Sequence, residues 1–103
     1  IDKLDINTNL VLSSDICKDS KLQGLEKIFF ILDNLKAQKY LSSDGPGSMR
    51  YINENDFKLK NIELIWQKFN HPTYNQLHGD FKSYLSIIDL LFNYGEDSKK
   101  YII

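Results

Sequence analysis

The chain has 103 residues, of which 42% are hydrophobic and 26% charged, enough for one hydrophobic core and too short for two ordinary domains. Thirteen Lys plus Arg against fourteen Asp plus Glu leave a formal charge of −1, so no global basic field exists to grip a nucleic-acid backbone. The single cysteine, Cys17, cannot form an intrachain disulfide, and the sequence has neither a signal-peptide pattern nor an apolar run long enough to cross a bilayer, which points to the cytoplasm.

In chain order, Ile6 to Leu12 predicts a short strand running into the polar turn Ser13-Ser14-Asp15. Leu22, Leu25, Ile28, Phe29, Leu32 and Leu35 then recur at threes and fours, the stripe of an amphipathic helix, with Asp19 or Ser20 as its N-cap. Lys39 to Ser42 predicts a second strand, closed by the turn residues Ser43 to Ser48. Met49 to Lys58 predicts a short or broken helix. Ile62 to Phe69 alternates and is rich in β-formers, a third strand. A loop follows from Asn70 to Asp80. Ser83 or a neighbour opens an apolar helix from Tyr84 to Tyr94, which Gly95 stops, and a last helical stretch covers Asp97 to Ile103.

The alternation predicts a single α/β domain over residues 1–103: a small parallel three-stranded sheet (βαβαβ) with flanking helices and an apolar helix near the carboxyl terminus. The run Leu-Ser-Ser-Asp occurs twice, at Leu12 to Asp15 and Leu41 to Asp44, each time where a strand is expected to end.

Parallel strands release their exit turns at a common edge, where open α/β folds bind ligands. Three polar segments therefore define the expected site: Ser13 to Asp15, Ser42 to Ser48, and His71 to Gln76. Gly45 and Gly47 let the backbone turn and present N–H groups to an anion. His71 is the candidate general acid/base, since an imidazole titrates near neutrality. Tyr74 and Gln76, two apart, can face one ligand from an extended loop. Ser86, Asp89 and Asn93 form a thin polar seam on an otherwise apolar helix, and Asp89 is suited to fixing a loop or pairing with Arg50. The same residues also have plain structural readings: a tight turn, a loop histidine before proline, a solvated helix edge. The spacing of His71, His78 and Asp80 matches no zinc pattern, so no metal site is expected, and no cofactor is identified.

Tyr40-Leu41-Ser42 before a glycine-bearing loop, Tyr51, Phe57, the strand to Phe69, the His71-Pro72-Thr73-Tyr74-Asn75-Gln76 loop and the Leu85 to Gly95 helix together resemble the carboxyl-terminal half of a WbqC-like family protein. The resemblance runs from about Leu10 to the end. It implies a bacterial cytoplasmic protein associated with assembly of surface polysaccharide such as O-antigen or capsule. It further implies a longer protein, with an amino-terminal half supplying part of any site. With the convergent loops, it suggests a transferase acting on a nucleotide-linked or activated sugar. In that scheme Ser42, Gly45, Gly47 and Ser48 bind phosphate or sugar hydroxyls, His71 moves protons, Tyr74 and Gln76 orient substrate, and Asp89 supports the loops. The alternative is a non-catalytic interaction or accessory domain with a protein partner. Neither scheme involves nucleic acid or a membrane.

Overall fold

A computed structural model describes residues 2–18 and 21–102. The chain divides into two compact units, a sheet unit of residues 10–68 and a carboxyl-terminal unit of residues 69–103 together with residues 1–9.

The sheet unit contains helix α1 (Ser13–Ile16), helix α2 (Gly24–Asn34), strand β1 (Lys39–Ser43), helices α3 (Pro46–Tyr51) and α4 (Glu54–Leu59), and strand β2 (Glu63–Gln67). β1 and β2 pair in parallel, with Tyr40 opposite Leu64 and Ser42 opposite Trp66. A parallel pair needs a crossover, here the two short helices between the strands. The core follows from the apolar stripe of α2: Phe29 and Leu32 are buried with Phe57 of α4 and Ile62, and Tyr40 and Leu64 pack on them. Phe57, 1% exposed, stacks on Tyr40 at 5.5 Å and meets Phe29 at 4.8 Å between ring centroids.

Local chemistry sets the element ends. α2 begins where Gly24 takes a left-handed φ of +57°, a conformation that costs glycine little. Its end is a Schellman turn in which the Ala37 N–H donates to the Leu32 carbonyl at 2.9 Å, with Lys36 in the left-handed position. The Asp19 and Ser20 caps expected for this helix lie outside the described residues. The broken helix expected over Met49 to Lys58 is two helices, because Asn53 starts a new one: its side chain accepts from the Asn55 N–H at 3.0 Å.

The expected first strand, Ile6 to Leu12, is not one, so among the described residues the sheet has two strands and not three. Leu10, Val11 and Leu12 are 75, 55 and 67% exposed. A parallel strand needs a ladder partner and covered faces, and this segment pairs with neither strand. The two Leu-Ser-Ser-Asp runs consequently differ: the second closes β1, whereas Ser13 to Asp15 begins α1, where the Cys17 N–H donates to the Ser13 carbonyl at 2.8 Å.

The carboxyl-terminal unit holds a long irregular segment, helix α5 (Ile87–Tyr94) and a 3₁₀ helix (Gly95–Tyr101), which contacts the 3₁₀ turn Asp2–Leu4. α5 starts three residues later than its apolar pattern suggested, because Tyr84 sits at φ +59° and cannot join a helix. Ser86, not Ser83, is the cap, its Oγ accepting from the Ile88 N–H at 3.3 Å. Gly95 at φ +53° ends α5, and the fully buried Ser98 donates to the Leu90 carbonyl at 3.2 Å.

The sheet unit is centred on one ring, so Phe57→Ala is expected to cost about 3–5 kcal/mol, measured as a lowered midpoint in urea unfolding followed by Trp66 fluorescence.

Candidate functional site

The expected site residues divide between the two units. Ser42, Gly45, Gly47 and Ser48 belong to the sheet unit, and His71, Tyr74, Gln76 and Asp89 to the carboxyl-terminal unit.

In the sheet unit, the chain leaves β1 and enters α3 through Asp44 and Gly45. Ser43 Oγ lies 2.7 Å from Ser48 Oγ, tying the strand exit to the first turn of α3. Ser42 is buried, and its hydroxyl donates to the Ser43 carbonyl at 3.3 Å. Ser42, Gly47 and Ser48 line a cleft of about 540 Å³ with Gln23, Tyr40 and Tyr51. Gly45 is the N-cap of α3 at φ −70°, ordinary extended backbone, and Gly47 lies in the first turn. Glycine is therefore not needed for a left-handed turn at either position. A Cβ at either would meet nothing within 4 Å.

In the carboxyl-terminal unit, the His71 to Gln76 loop is fastened to α5 by side chains. Asp89 Oδ2 accepts from the Tyr74 hydroxyl at 2.7 Å and from Gln76 Nε2 at 3.0 Å. Gln76 also binds the Lys82 backbone twice, accepting from its N–H and donating to its carbonyl, each at 2.9 Å. Asn93 accepts from the Leu77 N–H at 3.0 Å and donates to the Asp89 carbonyl at 2.7 Å. The Tyr94 hydroxyl accepts from the Asn75 N–H at 3.1 Å. The polar seam of α5 is thus a fastening line: Asp89 and Asn93 hold the loop and Ser86 caps the helix. Asp89 fixes the loop through side-chain donors, the Tyr74 hydroxyl and the Gln76 amide.

His71 is engaged at both ring nitrogens. Nδ1 lies 2.8 Å from the Pro72 carbonyl, and Nε2 accepts from the Tyr84 N–H at 2.9 Å. These partners assign the neutral tautomer with the proton on Nδ1. Acid–base work at His71 requires one of these bonds to open.

Hydrogen bonding to the Asp89 carboxylate, reinforced by burial, raises the Tyr74 hydroxyl above its ordinary value of 10.0. In the neighbouring pair, donation by Tyr101 to the Tyr94 oxygen lowers Tyr94 and raises Tyr101.

Around His71 lies a second concavity, about 240 Å³, walled by Phe69, Tyr74, Tyr84 and Tyr101. Sequence reading missed Tyr84, because its apolar neighbours placed it inside a helix. It also missed Gln23, whose only signal was its place beside Gly24, and it named Tyr51 in the resemblance without giving it a place in the site. Among the described residues no three His, Cys, Asp or Glu side chains group to hold a metal ion.

The sheet unit thus carries a cleft bearing serine and tyrosine hydroxyls at the exit of a parallel strand. The WbqC-like protein family model matches residues 1–101, and the chain belongs to that family. It is 33% identical over 101 residues to the uncharacterized protein Rv1507c of Mycobacterium tuberculosis, a match covering 96% of this chain and 42% of that protein. The chain therefore spans under half the length of this curated relative. No solved structure matches it. None of the described helices is long and apolar enough to cross a membrane.

Two outcomes test this geometry. Gly47→Ala is expected to raise stability by about 0.4–1 kcal/mol, since the backbone is compatible and the new methyl meets open space; thermal unfolding reads it. For Tyr74 the folded value lies above the unfolded one, so its contribution is fully present below pH 10.0 and is lost as pH rises through the raised value. Amide exchange across residues 71–82 should accelerate there, and Tyr74→Phe should exchange faster at neutral pH and show no such alkaline step.

Proposed function

We propose that the chain is the carboxyl-terminal part of a longer WbqC-like protein that works in the bacterial cytoplasm in surface-polysaccharide biosynthesis, as a transferase-type enzyme binding a nucleotide-linked or activated sugar. The observation that carries this reading is the cleft of about 540 Å³ at the exit of β1. Its volume is that of a small-molecule site, and it lies where parallel strands deliver their exit loops.

Its chemistry suits a sugar. The hydroxyls of Ser42, Ser48, Tyr40 and Tyr51 and the Gln23 amide can exchange hydrogen bonds with sugar hydroxyls. Tyr51, 70% exposed, offers a flat aromatic surface to the C–H face of a ring. Gly47 presents only backbone to the cleft, so a ligand can approach closely there, and Gly45, the N-cap of α3, leads the chain into it. The family's association with polysaccharide biosynthesis supports the substrate class. In the carboxyl-terminal unit, His71 is the proposed proton-transfer group, with Tyr74 and Gln76 positioned by Asp89.

The alternative of a non-catalytic interaction domain is favoured by one observation, the exposure of Ile88 and Phe92 one turn apart on α5, at 56 and 87%.

Calorimetric titration with UDP-, GDP- and dTDP-linked sugars tests the primary reading. At least one should bind saturably, and the double variant Ser42→Ala/Ser48→Ala should weaken it about tenfold, the loss of one or two hydrogen bonds. Absence of binding by every nucleotide sugar removes the reading.

A further inference from the structure

The concavity around His71 is unlike the serine-lined cleft. None of its lining residues carries a formal charge, and most of its wall is ring or aliphatic carbon. Phe69 meets His71 edge-on at 5.8 Å and 80°, and Tyr84 leans on it at 4.9 Å. Two of the polar side chains here are already engaged: both nitrogens of His71 by backbone groups, the Tyr74 hydroxyl by Asp89. Leu90, buried, adds an apolar surface. A phosphate or carboxylate would be desolvated here without a counter-charge, and a sugar's hydroxyls would lose water without enough partners. A flat, uncharged ring loses little and gains stacking.

A second observation points the same way. Tyr84 occupies the left-handed region at φ +59° although it is a bulky residue and 77% exposed. Backbone strain of this sort persists only where surrounding structure holds it, and it concentrates at functional sites. Here the holder is the His71 Nε2 bond to the Tyr84 N–H, so the imidazole fixes an exposed aromatic ring beside itself. An exposed tyrosine repays little of that strain by burial, whereas a ring held ready for stacking gives it a purpose.

Size and rim narrow the occupant. A cavity of about 150 Å³ accommodates benzene, and this one is about 240 Å³, room for a nucleobase. The Ser86 hydroxyl on its lining accepts from the Ile88 N–H and keeps its own proton to donate to a base carbonyl or ring nitrogen. We infer that this aromatic concavity is a nucleobase-binding site, in which the ring lies against Tyr84 and Phe69 and takes one polar contact from Ser86. The site shares no lining residue with the serine-lined cleft, although His71 and Tyr74, given roles under the proposed function, belong to its wall.

The test is an NMR titration of the isotope-labelled protein with uridine and with adenosine, with ribose and phenol as controls. Either nucleoside should cause saturable ring-current shifts at Phe69, His71 and Tyr84, and ribose none. Tyr84→Ala should weaken the nucleoside about fivefold or more, the scale of one base–aromatic stack, while Tyr84→Phe should bind like the parent. Where Tyr84→Ala disturbs the fold, Phe69→Ala serves as the second variant. The inference is overturned by no saturable shift at these residues, by phenol binding as tightly as both nucleosides, or by undiminished binding in Tyr84→Ala and Phe69→Ala. Free nucleosides carry no phosphate or donor sugar, and the nucleotide-sugar titration reads Ser42 and Ser48, so either proposal can fail without the other.

Discussion

A long irregular segment is stable only if its polar groups find partners, and between β2 and α5 the chain must satisfy them without a ladder or a helix. The Asp89 carboxylate is the interaction on which that solution depends. It gathers the Tyr74 hydroxyl and the Gln76 amide onto α5, and Gln76 in turn holds the Lys82 backbone. Asn93, one turn further on, repeats the device with the Leu77 N–H. Two polar side chains on an apolar helix thereby order a loop several times their own length.

The histidine in this loop shows how the same residue type serves structure and chemistry. With Nδ1 bonded to the Pro72 carbonyl and Nε2 to the Tyr84 N–H, His71 behaves as a rigid connector in one tautomer. Its ring also forms part of an aromatic wall, so the group that fixes the loop also shapes the concavity beside it. The sheet unit solves the simpler problem: α2 and the crossover helices wrap Phe57, and the strand exit is left lined by hydroxyls.

Much of the sheet unit was legible in the sequence because its signals are local. The stripe from Leu25 to Leu32 and the strands at Lys39 and Ile62 each carry their period within a few residues, and the buried core uses those positions. Ile6 to Leu12 carried a similar signal and formed no strand, since β-propensity describes a fit to neighbours that this segment lacks. Tyr84 and Leu85 extended the apolar pattern of α5, but the Tyr84 N–H bond to His71 holds the backbone in the left-handed region and delays the helix to Ile87.

Composition and periodicity alone determined that the chain is a mixed α/β protein with parallel pairing, that the stripe from Leu25 to Leu32 supplies part of the sheet unit's core, and that Asp89 and Asn93 are exceptional on their helix. Only tertiary structure decided how many strands pair, which serines share a cleft, and that the donors around Asp89 come from Tyr74 and Gln76. The physical reason is distance along the chain: helix period and turn chemistry act over a few residues, whereas Tyr74 and Asp89 are fifteen positions apart and meet only once the loop has folded back on α5.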